Sequence, residues 1–397
     1  MKRILIFSLA YYPRFIGGDS VAVKEITDRI NPSDIEFHMV TLRFDSTLPK
    51  VEQVGNVLVH RIGFARPHPS PGDLKAFPLH YNKLWFQFAA ALKARSLHKK
   101  YHYDATWAMM AHSCGVPGAL FSFLSPAVPF VLELQEGDPP EHIERLMRPL
   151  WPLFTSAFTR AAVVSVISNF LGGWARRRGF KGPLEVVPNG VDTAHFAKPQ
   201  DRFAIRKELN IHEDETILIT ASRLVHKNAI DDCVRALPTL PGVHFLILGI
   251  GPDEAKLKEL VHILKVDDRV HFVGQVGHKE LPAYLQASTM FIRPSRSEGM
   301  GNSFVEAMAA GLPVIATQEG GIADFLFDAK RNPDKPTTGW AVDKDSPDQI
   351  AEAVKDILSN PEQVKKVVEQ AKKLAFEKYD WDLLARDMRE KVFARVL

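Results

Sequence analysis

Short runs of β-branched and apolar residues recur along the chain and alternate with stretches of helical periodicity. In the first half the runs cover residues 3–10, 36–42, 57–62, 105–109, 130–134, 162–167 and 184–187. In the second half they cover 216–221, 243–248, 270–273, 290–293, 313–316 and 339–342. Helical periodicity fills most intervals, as in 229–237, 254–264, 279–286 and 304–310. Near-continuous apolar strands between amphipathic helices predict parallel sheets covered on both faces. Two such series, each long enough for its own sheet, predict an α/β protein of two doubly wound, Rossmann-like domains.

The polar stretch at 197–202 (AKPQDR) interrupts the pattern and places the boundary there, with one domain over 1–198 and the second over 199–375. In open parallel sheets, ligands bind outside the carboxyl ends of the strands. Functional residues are therefore expected just after strands.

A length of 397 residues, 46% hydrophobic and 24% charged, suits two globular domains and excludes disordered or fibrous chains. Formal charge is only +3, but residues 1–198 carry 23 Lys and Arg against 16 Asp and Glu, while the rest carry 27 against 31. A basic half beside an acidic one suits an anionic partner: nucleic acid, phospholipid or a phosphorylated substrate. Two cysteines, Cys114 and Cys233, make no disulfide framework and fit a reducing cytoplasm. The opening Lys2-Arg3-ILIFSLA reads as a first strand rather than a signal peptide, because Tyr11-Tyr12-Pro13-Arg14 stands where a cleavage site belongs. No run reaches the roughly 18 uncharged apolar residues of a membrane span.

The stretch 294–317, PSRSEGMGNSFVEAMAAGLPVIAT, reads as strand end, Gly-rich turn, helix, glycine stop and strand. Gly299 and Gly301 let backbone approach a ligand, and the amides opening the helix near Asn302-Ser303, both good N-cap residues, attract an anion. Glu306, one turn beyond Asn302, and Glu298, on the preceding turn, flank that cradle. Two carboxylates around a phosphate site suit a nucleotide-sugar, which has hydroxylated rings on both sides of a diphosphate. Arg223 and Lys227 follow the 216–221 strand, the first a bidentate phosphate ligand and the second a point charge. Gly17-Gly18 follows the first strand, and His112 follows the 105–109 strand. The turn Pro188-Asn189-Gly190-Val191-Asp192 closes the first half.

In this order, Gly17-Gly18, PNGVD at 188–192, Arg223 and Lys227, the turn GIGP at 249–252, and SEGMGNSFVEAMAAGLPVIAT at 297–317 resemble the retaining GT-B glycosyltransferases of family four. The likeness spans essentially the whole chain. It implies two Rossmann-like domains facing across a cleft, with the donor held by the second and residues 376–397 crossing back onto the first. Arg223 and Lys227 would bind the diphosphate and Glu306 the ribose. Glu298 and the amides of Gly299, Met300, Gly301, Asn302 and Ser303 would hold the donor sugar. Gly17, Gly18 and His112 would complete the site from the acceptor side. The catalytic set so implied is Glu298, Arg223, Lys227 and His112, with no metal.

The implied reaction moves a hexose from a UDP- or GDP-sugar to a hydroxyl of a glycan or lipid-linked glycan, with retention. A nucleotide-sugar 2-epimerase shares the fold, and a non-catalytic nucleotide-sugar-binding protein is a third reading. Two features depart from the family. Asn228 stands where many relatives have Gly after the Lys, and Gln135-Glu136-Gly137-Asp138 replaces a His-Asp pair, making Glu136 and Asp138 the acids to test. The pairs Asp343-Lys344-Asp345 and Asp380-Trp381-Asp382 match the D-x-D metal signature but read as loop and helix-cap carboxylates.

Two segments combine aromatics with cations, 81–102 and 145–160, and suit peripheral contact at the inner face of a membrane. The alternative for both is aromatics in the core and cations at a helix end. Arg176-Arg177-Arg178 lacks interleaved aromatics and reads as a helix end, so no nucleic-acid partner is expected.

Overall fold

In a computed structural model, which describes residues 1–14, 17–70 and 72–397, the apolar runs become strands of two sheets. The first has, among the described residues, β1 (Lys2–Phe7), β2 (Ile35–Asp45), β3 (Val51–Val54), β4 (Val57–Arg66), β5 (Ala105–Met109), β6 (Phe130–Leu134), β7 (Val163–Val166) and β8 (Leu184–Val186). The second has β9 (Thr216–Ala221), β10 (Val243–Leu248), β11 (Val270–Gly274), β12 (Met290–Arg293), β13 (Val314–Ala316) and β14 (Trp340–Ala341). Strand order is β3-β4-β2-β1-β5-β6-β7-β8 in the first and β11-β10-β9-β12-β13-β14 in the second.

Both orders are doubly wound. The chain starts at mid-sheet, works outward, then returns to build the other half, so the direction reverses between β1 and β5 and between β9 and β12. Those two reversals are where ligand sites are expected. All pairings are parallel except β3 with β4. This edge hairpin departs from the all-parallel expectation. Its strand, Val-Glu-Gln-Val, is short and alternating with one face in water, and it turns at Gly55, whose φ of +57° lies in the left-handed region.

The chain divides into a unit of Met1–Asn189 with Trp381–Leu397 and a unit of Gly190–Asp380. These breaks differ from those read at 198 and 376. The Thr193–Ala197 helix goes with the second unit, where Gln286 Nε2 donates to the carbonyls of Phe196 at 3.0 Å and Lys198 at 2.9 Å. The helix Pro361–Lys378 runs through position 376 without a break. In the first unit, Ile4, Phe37, Trp107 and Val131 share one core with Trp381, Leu384, Met388 and Phe393. The Trp107 and Phe393 rings meet edge to face at 5.1 Å. In the second, Leu218, Phe245, Ile292 and Ile315 pack under Ile230, Val234, Ile350 and Val354.

The two aromatic and basic segments part company. Within the helix Asn82–Tyr101, Phe86, Ala90, Ala94 and Leu97 face the core, while Leu84, Trp85, Phe88 and Leu92 are exposed. In the second segment Phe154 and Phe158 are fully buried, and Arg178 stacks 4.0 Å from the Trp151 ring. The aromatics of 145–160 are therefore divided: Phe154 and Phe158 belong to the core, while Trp151 stays 37% exposed beneath Arg178. Arg176 closes the Asn169–Arg177 helix by donating to the carbonyls of Phe180 and Gly182. Among the described residues, no helix is long and apolar enough to cross a membrane.

Candidate active site

Strand β9 delivers the chain to the reversal of the second sheet. There the loop lies hard against the turn after β10: Ser222 N–H donates to Leu248 O at 2.9 Å and Leu224 N–H to Ile250 O at 3.1 Å. A Cβ on Gly249 or Gly251 would collide with the carbonyls of Ser222 and Leu224, so both glycines are needed for the close approach. Arg223 is exposed and Lys227 half-buried on this one loop. Asn228 Nδ2 donates to Arg223 O at 2.6 Å. The Asn that departs from the family pattern thus closes the loop from within.

The second loop follows β12. Its organiser is Arg293, a buried residue that the hydrophobic pattern hides inside a strand. Nη2 donates to Glu298 Oε2 at 2.7 Å, Nη1 donates to Ser303 Oγ at 2.9 Å, and the guanidinium lies 4.2 Å from the Phe304 ring centroid. Burial pulls its pKa down, opposed by the charges of Glu298 and Glu306. Glu298 Oε1 also accepts from Gly299 N–H at 3.0 Å. Gly299 and Met300 are buried.

The helix Asn302–Ala309 starts where predicted, but its cap differs. Gly301, at φ +86°, takes the N-cap position, and no side chain caps the helix. A Cβ there would strike Arg293 and Phe304. Ser303 Oγ instead accepts from Arg293. Glu306, buried on the second turn, accepts from His278 Nε2 at 2.9 Å. Sequence reading missed His278; its position four residues beyond β11, another strand end, was the available signal.

In the first unit, Gly17 takes the N-cap position of Gly18–Asp28, the helix between β1 and β2, and a Cβ on Gly17 would strike the Asp19 carboxylate. His112 follows β5 in a single π-turn, Ala111–Gly115, entered through Met110 at φ +67°. Such turns and left-handed non-glycine residues concentrate at functional sites. His112 Nδ1 lies 3.5 Å from Glu136 Oε1, and Nε2 lies 3.0 Å from Ser113 Oγ. Glu136 is 1% exposed and accepts from Ala111 N–H at 2.5 Å. Asp138 lies on the exposed part of the loop. Glu136, not Asp138, faces the histidine. Asp19, which sequence reading passed over, joins them: burial pushes its carboxyl up, with the charges of His112 and Glu136 acting on it in opposite directions.

The D-x-D carboxylates have protein partners. Asp343 accepts from Gln349 and pairs with Arg331, Asp345 pairs with Arg296, Asp380 accepts from Thr193 Oγ1, and Asp382 pairs with Arg29. Among the described residues, no group of three His, Cys, Asp or Glu converges as a metal site.

Residues 201–374 match the family described as glycosyl transferases group 1, and residues 16–195 match glycosyltransferase family 4. The chain belongs to the family-four glycosyltransferases. Its fold is GT-B, shared with family structures across its whole length. Sucrose-phosphate synthase from Thermosynechococcus elongatus superposes with a TM-score of 0.81 at 21% identity, covering 99% of this chain and all of that one. HepE of Anabaena, in a complex with UDP-glucose, superposes with a TM-score of 0.77 at 20% identity, with the same coverage.

Among curated family members, the GDP-mannose-dependent alpha-(1-6)-phosphatidylinositol monomannoside mannosyltransferase of Mycobacterium tuberculosis is 32% identical over 256 residues. That match covers 60% of this chain and 64% of the mycobacterial protein, so it falls short of two thirds of the relative's length. The uncharacterized glycosyltransferase MJ1607 of Methanocaldococcus jannaschii is 24% identical over 97% of this chain and 96% of its own.

Proposed function

We propose that the protein is a retaining, metal-independent glycosyltransferase that moves a hexose from a GDP- or UDP-sugar to a hydroxyl of a glycan or lipid-linked glycan. The observation that carries this reading is the meeting of two loops at the reversal of the second sheet: one bears Arg223 and Lys227, the other Glu298, the glycine turn and Glu306. Names of relatives support the donor and acceptor classes. The mycobacterial enzyme is described as GDP-mannose-dependent and acting on a phosphatidylinositol monomannoside, and an Acholeplasma laidlawii relative as alpha-monoglucosyldiacylglycerol synthase.

In this reading Arg223 and Lys227 hold the diphosphate. As the sugar–phosphate bond breaks, its growing negative charge meets those two cations and the backbone of the turn and helix start at Gly299, Met300, Gly301, Asn302 and Ser303. Such fixed dipoles and charges supply the stabilisation that a divalent ion gives elsewhere. Glu306, oriented by His278, binds ribose hydroxyls. Glu298, tethered by Arg293, keeps the turn in shape and presents its remaining acceptor capacity to the donor sugar. Gly17, Gly18 and His112 serve the transferred sugar and acceptor, with Glu136 setting the orientation of the imidazole.

The reading also places the protein in the cytoplasm, peripherally at the inner face of the membrane, where a lipid-linked acceptor is found. The helix Asn82–Tyr101 supports this: its exposed face carries Leu84, Trp85, Phe88 and Leu92, and its sequence has five Lys or Arg and no carboxylate.

The test is calorimetric titration with GDP and UDP in excess EDTA, followed by incubation with the matching sugar donor and a glycolipid acceptor. Metal-free binding of one nucleotide and a product of unchanged anomeric configuration are expected. Binding that requires Mg²⁺ or Mn²⁺ removes the metal-independent part. Conversion of the donor alone to its epimer replaces transfer with epimerisation.

A further inference from the structure

Arg296 lies two residues before Glu298, in a position that no hydrophobic period or motif spacing distinguishes. The structure gives it polar partners on several separate pieces of chain. Its backbone N–H donates to Lys227 O at 2.7 Å. Nη1 donates to His226 O at 2.8 Å and to Asp231 Oδ1 at 2.9 Å. Nη2 donates to Asp231 Oδ2 at 3.1 Å and Asp232 Oδ2 at 2.9 Å, and Nε donates to Asp345 Oδ1 at 2.6 Å. The side chain is 14% exposed.

This one guanidinium joins three pieces of chain: the loop carrying the donor-site cations, the first turn of the helix Ile230–Ala236, and the loop at Asp345. The neighbouring loop residue Ala229 sits at φ +54°, a conformation that a non-glycine residue holds only when its surroundings enforce it. Asp231 and Asp232 are adjacent acids in a largely buried place. Burial opposes ionisation of Asp231, and the Arg296 hydrogen bonds overcome it, holding its carboxyl below the usual range. Burial and the Asp231 charge push Asp232 up to about 6. Only a planar fork with five donors fits this set, because a lysine ammonium does not bridge two carboxylates and a carbonyl in one plane.

We propose that Arg296 is a positioning residue for the donor site: it ties the His226–Lys227 backbone to the Glu298 loop, fixing the spacing between the Lys227 ammonium and the glycine cradle that meet the diphosphate. The inference rests on the donor-site reading given above. Without the guanidinium clasp, Asp231 and Asp232 are left without their counterion beside a site for an anion, and His226 O loses the side-chain bond that holds the residue next to Lys227.

The experiment titrates GDP and UDP into wild type, Arg296→Met, Arg296→Lys, Lys227→Ala and the Arg296→Met/Lys227→Ala double variant, with melting temperatures measured in parallel. Arg296→Met is expected to weaken binding of the nucleotide that wild type binds by about 10- to 100-fold in folded protein, and Arg296→Lys to restore little of it. The double variant should bind no more than about twofold worse than the weaker single, because Arg296 acts through Lys227. Multiplying losses in the double variant would overturn the proposal. So would unchanged affinity in Arg296→Met, or a lowered melting temperature with normal affinity, which is the pattern of a merely structural residue. If Arg296→Met does not fold, Asp345→Ala removes one anchor from an exposed position and should weaken binding about 2- to 5-fold; unchanged affinity there refutes the clasp. If wild type binds neither nucleotide, the donor-site reading itself fails and takes the clasp with it.

Discussion

The two Rossmann-like units share a winding order, yet their strand-end residues are held in opposite ways. In the second unit the chemistry rests on permanent charges. Arg293 and Arg296, both largely buried, lock the Glu298 turn and the Lys227 loop through charge-assisted hydrogen bonds. In the first unit the helix Gly18–Asp28 and the segments after β5 and β6 contribute Asp19, His112 and Glu136, a cluster of an imidazole and two carboxyls. On the proposed reading, a site with fixed positive charges suits a diphosphate, which is anionic before transfer and more so after it. On the proposed reading, a cluster of an imidazole and two carboxyls suits hydroxyl chemistry, in which the charge at the reacting atom changes. The same winding order thus presents different side chains at the two reversals: cation-held loops in the second unit and an acid–histidine cluster in the first.

The comparison breaks most directly at Lys227. Lys227→Ala is expected to lower kcat/KM by about two to three orders of magnitude while the melting temperature moves by no more than a few degrees; steady-state kinetics beside calorimetric melting checks this. Glu306→Ala should act mainly on nucleotide affinity, weakening it about tenfold or more. If both variants keep full activity, the fixed-charge half has been placed on the wrong loops. In the first unit, Glu136→Gln is expected to reduce kcat by about 10- to 100-fold and to change the pH–rate profile, since it removes the charge facing His112. Asp138→Asn should stay within about twofold, so a larger effect from Asp138 than from Glu136 would reverse that assignment.

Smaller effects sharpen the contrast. Replacing Leu84, Phe88 and Leu92 together by Ser should cut recovery with phosphatidylglycerol vesicles several-fold, leaving nucleotide affinity unchanged. Equal recovery would turn the exposed helix face to some other partner. The first unit also carries two buried groups with opposite linkage. Burial raises Glu133 from an ordinary 4.5 to about 7, partly offset by Ser165, Trp107 and Gln135. The folded state then holds the proton more tightly, so this contribution is full below about pH 4.5 and is lost as pH rises through 7. Burial lowers His60 from 6.5 to about 4, assisted by His38, Lys93 and Lys100. The unfolded chain takes up that proton first, so stability is full above 6.5 and lost as pH falls towards 4. Denaturation midpoints at pH 5 and pH 8 should show Glu133→Gln gaining about 1–3 kcal/mol relative to wild type at pH 8 over pH 5. An identical offset at both pH values would mean that Glu133 ionises normally.

Much of this architecture was readable in the chain because buried parallel strands write themselves as uninterrupted apolar runs. β3 escaped because a short edge strand with one wet face carries only a weak alternation. The site was readable to the level of its loops: glycines at 299 and 301, cations after β9, a histidine after β5. Its supports were not. Arg293 ends the 290–293 run and Arg296 sits in the turn after it, and nothing local announces that Arg296 will be held by carboxylates brought from 65 residues away. The helix cap illustrates the same limit. Asn302 and Ser303 have the right chemistry to cap, but Gly301 occupies the left-handed position and Arg293 draws Ser303 away.

The first unit's core contains Trp381, Leu384, Met388 and Phe393, which follow the whole of the second unit in the chain. During synthesis the strands β1 to β8 leave the ribosome long before the residues that cover their last apolar surface. The second unit, Gly190–Asp380, is continuous and has its entire core available first. The usual amino-terminal-first order of domain folding is thereby inverted for completion: the domain begun earliest is the last to be sealed. Until Trp381–Phe393 emerge, the apolar surface around Trp107 stays uncovered.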